Sequence, residues 1–138
     1  MNAPLYTTEI LRLAASLDAP HALDREDGRA EARSPTCGSR ITASVQRDGE
    51  GRVEALSQIV HACAFGQASA ALLQQSAIGH TRDEVARALA NLSAWLEGAE
   101  AEPGWSLEAL APARSRRARH GAILLPFRAL IAAMDAGQ

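Results

Sequence analysis

Apolar residues recur at helical spacing near the start of the chain (Leu5, Ile10, Leu11, Leu13, Leu17) behind a polar Thr7-Thr8-Glu9 start, which predicts a capped amphipathic helix over 5–17. Residues 18–34 are polar and punctuated by Pro20 and Gly28. They read as a loop, with a weak strand near 28–34 where Ala30 and Ala32 alternate with charged residues. After the turn Ser34-Pro35-Thr36-Cys37-Gly38-Ser39, the pattern becomes strictly two-residue: Ile41, Ala43 and Val45 alternate with Arg40, Thr42, Ser44 and Gln46. That is a half-buried strand. Asp48-Gly49-Glu50-Gly51 turns the chain, and Val53, Ala55, Leu56, Ile59 and Val60 form the returning strand of a hairpin.

Beyond Cys63 the alternation stops, and a run of small apolar residues up to Gly79 predicts a close-packed helix. Thr81 followed three residues later by Glu84 is a capping-box pattern. It opens a second helix through Leu89, Leu92, Trp95 and Leu96 to a stop at Gly98. Residues 99–104 are acidic and loop-like, and 105–110 suit one helical turn. A last helix starting at Pro112 or Ser115 carries Ile123, Leu124, Phe127, Leu130 and Ile131, with a bend predicted at Pro126. The predicted fold is α+β, a small antiparallel three-stranded sheet with helices packed on one face.

Composition narrows this picture. The 138 residues suffice for one domain, 1–138, and thirty alanines against five aromatic residues favour tightly packed helices over a sheet-on-sheet sandwich. Fourteen Arg and no Lys face sixteen acids, a formal charge of −2, so no overall field draws the chain to nucleic acid or an anionic membrane. No apolar run reaches the roughly 18 residues of a spanning helix, and the start does not read as a signal segment, so the expected location is cytoplasmic. Two cysteines in such a compartment stay reduced and are buried packing, a nucleophile or metal ligands.

Cys37 sits in a turn beside Gly38, at a rim between two strands, and Cys63 at a strand-to-helix junction, where free N–H groups and the helix dipole favour a thiolate. Each also reads as a small buried hydrophobe. His120 follows Arg114, Arg116, Arg117 and Arg119. Neighbouring cations favour its neutral, ligand-competent imidazole, although a solvated basic helix with an incidental His is the plainer reading. His61 lies two residues before Cys63 as a reserve ligand or a half-exposed strand residue, whereas His21 and His80 read as surface. Glycine-rich nucleotide loops, a G-x-S-x-G elbow and paired C-x-x-C motifs are all missing from the sequence.

The order Ser34-Pro35-Thr36-Cys37-Gly38, a hairpin, Ala62-Cys63-Ala64-Phe65-Gly66-Gln67-Ala68-Ser69-Ala70, then Arg117-Ala118-Arg119-His120-Gly121-Ala122-Ile123-Leu124 resembles the iron-sulfur cluster assembly scaffold family of the IscU type or NifU N-terminal domain. The resemblance runs from about Leu5 to Met134, and its most specific element is the C-A-x-x-x-A-S-A run beginning at Cys63. It implies a scaffold and not an enzyme. Such a scaffold takes sulfide from a cysteine desulfurase, builds a [2Fe-2S] cluster and passes it to apo-protein acceptors. It also implies that Cys37 and Cys63 match the first two ligands, that His120 stands where the family has a third Cys, and that Ser39 replaces the family's Asp. The family's glycines before the second Cys are Val60 and Ala62 here. A Cys₂His set suits a cluster at raised potential and equally suits zinc, and the Ser39 hydroxyl is a poor fourth ligand. The implied function is therefore binding of iron or a [2Fe-2S] cluster. Zinc in a sulfur acceptor, or a degenerate interaction module, is the alternative, and a Cys63–His120 nucleophile-base pair in a small thiol enzyme is a further one.

Overall fold

The computed structural model describes residues 6–35 and 38–137. Helix α1 (Thr8–Ala15) is shorter than the 5–17 expected and is capped by Thr7, whose Oγ1 accepts from the Ile10 N–H at 3.2 Å. Three strands follow, β1 (Gly28–Arg33), β2 (Arg40–Arg47) and β3 (Val53–His61), paired antiparallel in the order β1-β2-β3. The hairpin forms as its alternation predicts. At its tip the Asp48 carboxylate accepts from the N–H groups of Glu50 and Arg52, and Gly51 takes a φ of 79°.

The segment 28–34, which reads mainly as loop, supplies a full edge strand. Its inward residues are too small to announce burial, but Ala30 and Ala32 pair with Ala43 and Ile41 and pack on the core. Gly28 is needed there because a Cβ would overlap the Ala133 carbonyl of the last helix.

One face of the sheet carries Ile41, Ala43, Val45, Val53 and Leu56 into the core. The other face is polar and covered only in its middle. Ser57 Oγ accepts from the His21 N–H at 2.9 Å and Gln46 Oε1 from the Arg25 N–H at 3.0 Å, so the 18–27 segment lies against that middle part.

Helices α2 (Ala64–Ser76) and α3 (Arg82–Leu96) lie where periodicity puts them, and both halves of the Thr81–Glu84 capping box are formed. The last helix differs. Pro112 sits inside a 3₁₀ helix (Leu107–Ala113) longer than the single turn expected over 105–110, and α4 begins only at Arg117, not at Pro112 or Ser115. Two contacts hold this junction out of the helix. The Arg114 guanidinium donates to the Trp95 and Ala99 carbonyls, both at 2.9 Å, and Arg116 takes non-helical backbone angles. The guanidinium thereby ties the junction to the end of α3 and the turn that follows it. Once begun, α4 (Arg117–Ala136) runs through Pro126.

His80, read from sequence as surface, is instead packed. Its ring stacks on Trp105 with centroids 4.7 Å apart, and its Nδ1 lies 3.7 Å from the Glu84 carboxylate. Among the described residues no helix is long and apolar enough to cross a membrane.

Candidate metal centre

Cys63 is the N-cap residue of α2 in extended backbone, and its carbonyl accepts the Gln67 N–H at 2.9 Å. No side-chain hydrogen bond occupies its thiol at the cap. The thiol is half-buried at the positive end of the helix, the junction the sequence predicts. The Gln67 side chain folds back to donate to the Ala62 carbonyl at 3.1 Å, which steadies the strand-to-helix turn.

His120 lies in the first turn of α4 and is buried, with 8% of its surface exposed. Its Nε2 is 2.9 Å from the Ala113 carbonyl and 3.2 Å from that of Arg114. Both neighbours only accept, so Nε2 carries the proton and the lone pair of the neutral ring is on Nδ1. Two of the arginines around it in sequence, Arg114 and Arg117, are engaged elsewhere. Arg114 reaches back to α3 and lies 4.9 Å from the Trp95 ring centre, and Arg117 is solvated near Glu97. A ring fixed through one N–H to backbone carbonyl, with its second nitrogen left as a donor, is the arrangement found in metal-ligating histidines.

Cys37 lies outside the described residues; the ends of its turn do not. The Ser34 N–H donates to the Ser39 carbonyl at 2.9 Å, and the Gly38 N–H donates to the Ser34 carbonyl at 3.0 Å. Gly38 takes a φ of 73°, left-handed backbone suited to glycine.

Close backbone packing brings these three segments together. A Cβ on Gly121, next to His120, would stand 2.9 Å from Ser34 Oγ. A Cβ on Gly66, one turn after Cys63, would stand 3.3 Å from the Ala122 carbonyl. One turn further, the Ser69 hydroxyl donates to the Ile123 carbonyl at 2.6 Å inside the core. The Ala-Ser-Ala run thus serves to lock α2 onto α4, a role its sequence pattern does not reveal. Among the described residues no three His, Cys, Asp or Glu side chains form a group able to hold a metal ion. Two of the three predicted ligands, Cys63 and His120, are described.

His61 ends β3, exposed, on the wall of a groove of about 540 Å³ that also includes Arg33, Gly38 and Arg40. The two arginines drew no attention in the sequence, where only strand pairing would have shown that they are neighbours.

Solved structures similar to this chain include a nitrogen-fixing NifU-like protein (N-terminal) from Brucella abortus, 29% identical, with a TM-score of 0.84 over 96% of this chain and 93% of that one. A protein of Fervidobacterium islandicum described as an iron-sulfur cluster assembly scaffold for the SUF system is 20% identical, with a TM-score of 0.83 over 94% and 96% of the two chains. No protein-family model matches the chain, and no curated protein matches it in sequence.

Proposed function

We propose that this chain, which by fold belongs to the IscU and NifU N-terminal type of scaffold, holds iron or a [2Fe-2S] cluster as cargo through Cys37, Cys63 and His120 and yields it to apo-proteins. The observation that carries this reading is the bonding of His120. A buried imidazole whose Nε2–H is committed to the Ala113 and Arg114 carbonyls presents Nδ1 as the coordinating atom and cannot swing away without giving up those hydrogen bonds. Two thiolates and one neutral imidazole make an incomplete set for a four-coordinate site, which suits a cargo that must be released. On this reading a cysteine desulfurase supplies the sulfide.

The test is anaerobic purification, reconstitution with ferrous iron and sulfide, and measurement of bound iron, acid-labile sulfide and visible absorption. His120→Ala and Cys63→Ser are each expected to lose most of the bound iron and the charge-transfer absorption while keeping the far-ultraviolet circular dichroism of the parent. Unchanged iron and sulfide in both folded variants would remove these residues from the site. Stoichiometric zinc with no cluster after reconstitution would replace the cluster reading with that of a zinc-bearing sulfur acceptor.

A further inference from the structure

The sheet register sets three basic side chains in one row at the end of the sheet that carries the Cys37 turn. Arg33 of β1 stands opposite Arg40 of β2, and Arg40 opposite His61 of β3. Alternation puts Arg40 on the face opposite to buried Ile41, and all three residues are exposed. With Pro35, Gly38 and Ser39 they wall the groove of about 540 Å³.

Such a row does not help the fold. Like charges directly opposed in an antiparallel pair are destabilising, and an uncharged residue at position 40 would serve the sheet better. Some arginines elsewhere meet acids, Arg25 with Asp27, Arg29 with Glu26, Arg52 with Glu84, Arg82 with Asp135 and Arg117 with Glu97, while others such as Arg12, Arg47 and Arg128 are in no ion pair among the described residues. In the row only Arg33 has an acid, Glu31 beside it on the same strand. Among the described residues neither Arg40 nor His61 is in an ion pair. The row brings the guanidinium charges of Arg33 and Arg40 together, the first paired with Glu31, on a chain whose formal charge is −2, so it is not one corner of a generally basic surface.

We propose that this groove docks an acidic peptide segment of a partner protein. Adjacent strands are about 4.8 Å apart, so the row spans roughly 10 Å, and alternate side chains of an extended peptide, roughly 7 Å apart, straddle it. An inorganic anion needs one guanidinium fork and a fraction of this volume, whereas a chain carrying two acids at alternate positions engages the whole row. The recognition needs no metal, so it stands or falls apart from the cargo reading.

The test uses the metal-free protein and a fluorescent peptide alternating glutamate with serine, followed by anisotropy at low ionic strength. Arg40→Gln and Arg33→Gln are each expected to weaken binding about fivefold, the worth of one exposed ion pair at the upper end of the usual range, and Arg40→Glu more. Arg12→Gln on α1 is expected to leave binding unchanged. Because the row strains the sheet, Arg40→Gln is also expected to keep or raise the thermal midpoint, a combination that a structural arginine would not give. Unchanged affinity in Arg40→Gln, or a fall in its midpoint without a change in affinity, would overturn the proposal. Displacement of the peptide by inorganic phosphate at equal charge concentration would overturn it too, making the groove a small-anion site.

Discussion

At Gly66 a hydrogen atom stands where any other residue has a carbon, and the approach of α2 to α4 depends on it. A methyl there would lie 2.7 Å from the Ala62 Cβ and 3.3 Å from the Ala122 carbonyl, and neither neighbour is a flexible side-chain end able to turn away. Gly66→Ala is therefore expected to destabilise by about 1–2 kcal/mol: overpacking costs about 1–3 kcal/mol, and the better helix propensity of alanine returns up to about 1. A chemical denaturation midpoint measures this, and a midpoint above the parent's would show that α2 has room to shift. The same packing separates what the sequence told from what it withheld about single residues. Cys63 was legible as the residue before a helix because the change from alternation to small apolar residues marks that boundary. His120 was legible as a candidate, but its bonding was not. The Ala113 and Arg114 carbonyls that fix its tautomer are placed beside it by the 3₁₀ helix and the junction that follows, which no local periodicity announces.

Helix α3 is the element whose sequence signal and structure agree most closely. The Thr81 Oγ1 accepts from the Glu84 N–H at 3.2 Å, and the Glu84 carboxylate accepts from the Thr81 N–H at 2.9 Å. Thr81→Ala is expected to lower stability by about 1 kcal/mol, read as a shift in thermal midpoint. No shift would mean that tertiary contacts of α3 make its cap redundant. The hairpin was equally plain, since its two-residue alternation has one face in the core. Strand β1 was faint because two alanines are a weak apolar signal, and their burial comes from α4, far along the chain. The start of α4 was misjudged for a related reason. Proline is a common first helical residue, but here Pro112 serves a 3₁₀ helix, and the pull of Arg114 toward α3 postpones the α-helix to Arg117.

The whole molecule is tied at its surface by acids held in their charged form. Hydrogen bonds from the Arg25 side chain and the Arg47 backbone hold the Asp27 carboxyl below its ordinary range, and the Arg82 guanidinium does the same for Asp135, joining α3 to α4. Backbone N–H groups of Arg52 and Glu50 lower Asp48, and that of Thr81 lowers Glu84. Each carboxyl binds its proton more weakly when folded than when unfolded. Their contribution is therefore present above the ordinary carboxylate range, near pH 4, and is lost as pH falls through and below it. The thermal midpoint is expected to be level from neutral pH to about 5 and to decline below that, with a shallower decline in Asp135→Asn. A midpoint that rises on acidification would contradict this assignment. At this scale the sequence disclosed the class of fold and the three segments that carry the candidate ligands. It hid their junction, because Gly121 against Ser34 and Gly66 against Ala122 are meetings of small residues with no chemical signature of their own. Those meetings also set an order of events during synthesis. A ribosome releases the Cys63 turn well before α4, and until that last helix emerges and seats itself the nascent chain has no His120 corner to close. On the proposed function, loading of cargo waits for nearly the entire polypeptide, and fragments cut short ahead of Arg117 would hold Cys63 without the helix that carries His120.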